Sequence, residues 1–183
     1  MDLQYPIGKF TWNREGEGLL ASESERHQWI ADIAEVPARL REAVRGLTEE
    51  QLDTPYRPGG WTVRQLVHHL ADSHMNSYVR FRLALTEDEP TIKPYEQEQW
   101  ANLSDARAAS PEISLTLLTS LHERWVMLLR SLKPEDFARV LKHPEMGRLT
   151  LEKQLALYAW HGKHHVAHIS GLRQRSNWQA AGA

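Results

Sequence analysis

The chain has 183 residues, 41% of them hydrophobic and 25% charged, with a formal net charge of −2. That is enough for one domain with a packed core and too few for two domains to be expected. The near-neutral balance gives no basic surface for nucleic acid, and no run of about 18 apolar residues is present to span a membrane. Cysteine is absent, which removes disulfides, thiolate metal ligands, iron–sulfur ligation and a cysteine nucleophile, so any metal falls to His, Asp or Glu.

The start, Met1-Asp2-Leu3-Gln4-Tyr5-Pro6, has neither a basic nor an apolar leader pattern, which points to the cytoplasm. Residues up to about 21 read as an extended N-terminal arm. Trp29, Ile30, Ile33, Val36, Leu40 and Val44 recur at helical spacing and predict a first long helix over about 22–44. Pro37 lies inside that pattern, so a kink or break is expected near Val36. Thr48 to Leu52 reads as one capped turn, and the stretch from Thr54 to Gly60 as a turn-rich loop. Thr62 with Gln65 three residues on forms a capping box for a second long helix reaching about Leu85.

A loop from Thr86 to Pro94 and a short helix or ordered connection from Tyr95 to Asp105 should follow. Ser110 and Pro111 supply a cap and first-turn proline for a third long helix to about Leu132. Residues 133–147 read as a connection. Thr150 caps a fourth helix to about Arg175, and 176–183 form a tail rich in Ala and Gly. No segment reads as a β-strand. The expected fold is all-α: a single four-helix-bundle domain over 1–183 with short extra helical turns. A weak echo between 47–66 and 132–155 places the second and fourth long helices in equivalent positions.

Seven of the ten histidines fall in two clusters: His68, His69 and His74 on the second long helix, and His161, His164, His165 and His168 on the fourth. His161 and His165 are one helical turn apart on one face and can ligate one ion. The glutamate of the zinc-protease motif is missing, because Gly162 and Lys163 follow His161. Spacing leaves two choices open. His68 and His69 point about 100° apart, and either can supply a third ligand; His164 and His168 form a competing pair at the same spacing. The bland alternative is a set of packed imidazoles, and it is the preferred reading for His27, His122 and His143. His74 reads as a surface residue or as one supporting a ligand. Asp72 is a candidate acceptor for an imidazole N–H, with a surface ion pair to Arg64 or Arg80 as its alternative. Trp61 and Trp160 read as core anchors.

Several longer segments carry a recognisable pattern: Tyr5-Pro6-Ile7-Gly8, Leu52-Asp53-Thr54-Pro55-Tyr56-Arg57, Gly60-Trp61-Thr62-Val63-Arg64-Gln65, His68-His69-Leu70-Ala71-Asp72-Ser73-His74, Lys93-Pro94-Tyr95, Arg124-Trp125, and Leu157-Tyr158-Ala159-Trp160-His161 followed by His164-His165-Val166-Ala167-His168-Ile169. On these the chain resembles the DinB-like superfamily of metal-binding four-helix bundles. The resemblance is strongest to the YfiT branch of metal-dependent hydrolases, which is linked to bacillithiol S-transferases. It implies His69, His161 and His165 as ligands to one divalent ion per subunit, zinc or else nickel, in a cytoplasmic homodimer.

Three imidazoles with an open fourth position are the general pattern of a catalytic zinc site, structural zinc usually having four protein ligands. Nitrogen ligation suits nickel as well. Such a site lowers the pKa of a bound water to roughly 7, and can equally stabilise the thiolate of a low-molecular-weight thiol. The implied function is a metal-dependent hydrolase or a thiol S-transferase acting on a small electrophile. A non-enzymatic metal-binding or regulatory bundle is the alternative.

Overall fold

Each long helix begins at a side chain that answers its first unpaired N–H groups. The computed structural model describes residues 2–14 and 20–178; residues 15–19 of the expected arm and 179–183 of the expected tail lie outside the described residues. Helix α1 (Glu23–Val44) starts behind a reciprocal Ser22–Glu25 box. The short α2 (Glu49–Leu52) repeats the device with Thr48 and Gln51. The long α3 (Val63–Thr86) has the Thr62–Gln65 box that its sequence predicts. Two short helices, α4 (Gln97–Ala101) and α5 (Ser104–Ala108), make up the ordered connection. They lead to α6 (Pro111–Ser131), capped by Ser110 with Pro111 in its first turn. The short α7 (Pro134–Phe137) precedes a hairpin, and α8 (Leu151–Arg175) starts behind Thr150.

Two expectations need correction. Residues 133–147 are not a plain connection. Strand β1 (Val140–His143) pairs antiparallel with β2 (Gly147–Thr150), in the register Leu141 to Leu149. Four-residue strands are too short to show a period-two pattern, and the pairing is stabilised by burying Leu141 and Leu149 completely. The second correction is at Pro37. Helix α1 runs through it without a break, because Ile33, Val36 and Leu40 are all buried on its core face and tertiary packing outweighs one lost helix bond.

The four long helices form the bundle. Helix α1 packs on α8 and α6, and α3 packs on α6 and α8, so α1 and α3 stand at opposite corners. Trp125, Phe81, Ile33, Leu129 and Leu155 fill one part of the core, and Leu40, Leu66, Leu70, Leu118 and Ile169 the other. At Gly162 α8 lies close against α1: a Cβ built there lies 2.3 Å from Val36 Cγ2. The arm runs along α8, with the Gly8 carbonyl accepting the Trp160 indole N–H at 3.2 Å. Among the described residues, no helix is long and apolar enough to cross a membrane.

Candidate metal centre

The two adjacent histidines on α3 have opposite fates. His68 turns toward α6, its Nδ1 2.7 Å from Ser114 Oγ and its Nε2 3.2 Å from the Ala109 carbonyl. Both nitrogens are thereby occupied. His69, about 100° around the helix, points into the bundle under the Trp61 ring, with ring centroids 4.6 Å apart. Across from it on α8 stand His161 and His165, at centroid distances of 5.5 and 4.9 Å, and 4.5 Å from each other. Each of the three offers one ligand nitrogen, and these nitrogens lie within 4.8 Å of one another. No further His, Asp or Glu joins that group among the described residues.

The surroundings suit a metal better than a set of charged imidazoles. Burial holds His69 far below the ordinary histidine range, at about 3. Burial, together with the neighbouring rings, also holds His161 and His165 well below that range. Neutral rings keep a lone pair for an ion, so a zinc-like ion fits this donor set. The three line a cavity of about 360 Å³ with Tyr56, Arg57, Trp61, Glu98, Trp160 and His164. Trp61 and Trp160 are therefore cavity walls as well as packing residues. The Trp61 indole donates to Glu98 Oε2 at 3.0 Å, and Trp160 stacks on His164 at 4.3 Å.

Other side chains depart from what their sequence positions suggest. Asp72 makes neither of the expected contacts. Among the described residues its carboxylate has no hydrogen bond or ion pair, and burial raises it to about 6. Arg64 is taken by Asp53, at 2.7 Å, and by Glu49. The residue that meets a candidate ligand's ring edge is His74, whose Nε2 lies 3.2 Å from His161 Nδ1. It is fully buried rather than at the surface. Its Nδ1 lies 3.0 Å from His122 Nε2, and His122 Nδ1 lies 2.7 Å from the Ile33 carbonyl. The hydrogen-bonded core reading of His122 fits, but its place beside the site is not visible in a lone histidine 48 residues from His74.

A second group, His164, His165 and His168, also has ligand nitrogens within 4.8 Å. One of its nitrogens is engaged outside the group and two face each other within it, while His164 Nδ1 is buried without a hydrogen-bond partner among the described residues. His168 Nδ1 is 3.3 Å from His165 Nδ1, and its Nε2 is 3.1 Å from the Gln4 carbonyl.

Comparison with known proteins bears on the family and the fold. The model of the DinB superfamily matches residues 32–169. A Bacillus cereus (strain 03BB102) protein named "Putative metal-dependent hydrolase" is 54% identical over 177 residues, covering 97% of this chain and 99% of that protein. A protein of the same description from Bacillus thuringiensis subsp. konkukian (strain 97-27) is equally similar, with the same coverage. Among solved structures, YfiT from Bacillus subtilis, described as "a probable metal-dependent hydrolase with an unusual four-helix bundle topology", superposes with a TM-score of 0.92. It is 50% identical, with 98% of this chain and all of that one covered. The chain belongs to the DinB superfamily.

Proposed function

We propose that His69, His161 and His165 hold one divalent ion, zinc in the first place and nickel as the alternative. On this reading the chain is a metal-dependent enzyme acting on a small molecule. One observation carries it. Three neutral imidazoles from two helices converge on one point in the cavity wall, and no fourth protein ligand closes the group among the described residues. Structural zinc sites ordinarily have four protein ligands, whereas catalytic ones keep a position for substrate or water.

The ion, when bound, supplies Lewis-acid activation of a water or a thiol at neutral pH. The chain's own residues bind, orient and enclose. Arg57 presents a cation to a carboxylate-bearing substrate or thiol. Trp61 and Trp160 wall off solvent, and Glu98, held by the Trp61 indole, is the one carboxylate on the cavity lining among the described residues. Hydrolysis follows the description of the relatives. Transfer of a low-molecular-weight thiol, such as bacillithiol, to an electrophile is the second reading, favoured by the cationic rim at Arg57. The proposal includes a homodimer acting in the cytoplasm, to which the exposed apolar Ile113, Leu117 and Met127 on α6 would contribute.

Zinc-loaded protein, assayed with bacillithiol, cysteine and glutathione against monochlorobimane and in parallel with simple esters and amides, separates these readings. Turnover that requires a thiol and disappears in His165→Ala assigns transfer. Turnover without a thiol that disappears in the same variant assigns hydrolysis. No metal-dependent turnover of either kind would leave a non-enzymatic metal-binding bundle.

A further inference from the structure

The nitrogens around the candidate centre form two chains of contacts, and each ends on a backbone carbonyl. A carbonyl oxygen only accepts. The ring nitrogen facing it must therefore carry the proton, and in a neutral imidazole the other nitrogen is then bare. Starting at Ile33, His122 donates from Nδ1 to the carbonyl at 2.7 Å, so its Nε2 accepts from His74 Nδ1 at 3.0 Å. His74 Nε2 is then bare and accepts from His161 Nδ1 at 3.2 Å. That leaves the Nε2 lone pair of His161 for an ion. On the other side, His168 donates from Nε2 to the Gln4 carbonyl at 3.1 Å. Its Nδ1 accepts from His165 Nδ1 at 3.3 Å, and His165 too is left with a bare Nε2.

The anchor of the longer chain is built into the sequence of α1. Pro37 has no N–H, so the Ile33 carbonyl lacks the helix bond it would receive from four residues on. His122 supplies a donor to that group, which is buried in the bundle and would otherwise be short of a partner.

We infer that His74 and His122, anchored on the carbonyl that Pro37 leaves without its helix partner, and His168, anchored on Gln4, are positioning residues that fix His161 and His165 as Nδ1–H tautomers with Nε2 toward the metal. The inference rests on the proposed ligand set, and it goes beyond it by assigning a proton to five rings, those of His74, His122, His161, His165 and His168. Rings fixed in this way need no tautomer exchange or rotation before binding an ion. A supporting hydrogen bond of this kind is typically worth about ten- to a hundred-fold in metal affinity. It also removes His164, His165 and His168 as a second metal site, since His165 Nδ1 and both nitrogens of His168 are engaged.

Two-bond nitrogen–proton correlation spectra of the metal-free protein read each tautomer directly, without any activity. The expected pattern is Nδ1–H for His74, His122, His161 and His165, and Nε2–H for His168. A His161 or His165 ring carrying its proton on Nε2 would overturn the inference whatever the metal does. His122→Phe should release His74 and His161 into mixed tautomers and weaken zinc binding about ten-fold or more, read by competition with a chromophoric chelator. His122→Gln, whose amide oxygen still accepts from His74, should keep the His161 tautomer and most of the affinity. Unchanged tautomers and affinity in His122→Phe would contradict the relay. The expected tautomers together with undiminished zinc binding in His161→Ala would instead contradict the ligand assignment alone. The wild-type spectrum decides the tautomers even if His122→Phe fails to fold.

Discussion

Gly162 stands between His161 and His165, in the middle of a helix where alanine would be favoured by about 1 kcal/mol. Packing explains why glycine is there. A Cβ would lie 2.3 Å from Val36 Cγ2, and a β-branched side chain in a helix has essentially one rotamer to occupy. Gly162→Ala is therefore expected to lose about 1–3 kcal/mol by overpacking despite its better propensity, measured by urea unfolding of the metal-free protein. Val36→Ala in the same chain should recover part of the loss; a Gly162→Ala protein as stable as wild type would show that α1 and α8 are not in contact there. Single residues are also the scale at which contacts are least visible in the sequence. Asp72 was a reasonable partner for an imidazole from its place one turn along α3, but its carboxylate remains without one among the described residues, half-buried and raised to about 6. The contact with His161 is made by His74 instead, because rings on α3, α6 and α8 meet only once the bundle is folded.

At the level of elements, most of the architecture was legible. Thr62, Ser110 and Thr150 mark the starts of α3, α6 and α8 through cap chemistry that depends only on neighbours in sequence. Helical period alone yields two i, i+4 pairs, His161 with His165 and His164 with His168, and does not choose between them. What was not legible depends on distant residues. The hairpin at Val140–Thr150 is held by burial of Leu141 and Leu149 and by a turn with Gly147 at φ +71°, and its strands are too short to declare themselves. Pro37 signals a kink or a break, whereas the helix continues through it without a break and the Ile33 carbonyl is left without its usual helix donor. The choice between His68 and His69 could not be made from spacing. In the structure it turns on Ser114 and the Ala109 carbonyl, which occupy both nitrogens of His68.

Across the whole molecule, the bundle buries an unusual number of imidazoles, and that has a consequence for stability. A histidine whose folded pKa is depressed binds fewer protons folded than unfolded, so its contribution is present above the ordinary value of 6.5 and is lost as pH falls toward the folded value. Burial places His122 at about 4 and His69 at about 3, with His74, His161 and His165 shifted in the same direction. Asp72, raised to about 6, opposes them as a single group. The urea midpoint of the metal-free protein should be flat above about pH 7 and fall steadily between pH 6.5 and about 4; a midpoint constant through that window would mean the rings are not buried uncharged.

The proposed centre brings α3 and α8 together around one ion, as the fold brings them together around the cavity. Calorimetric titration of the metal-free protein with zinc tests this most directly. The expected result is one ion per chain, with affinity lowered by roughly a hundred-fold or more in each of His69→Ala, His161→Ala and His165→Ala, beyond the loss that a supporting residue causes, and with His164→Ala still binding one ion. Two ions per wild-type chain, or zinc binding lost in His164→Ala and kept in His161→Ala, would contradict it.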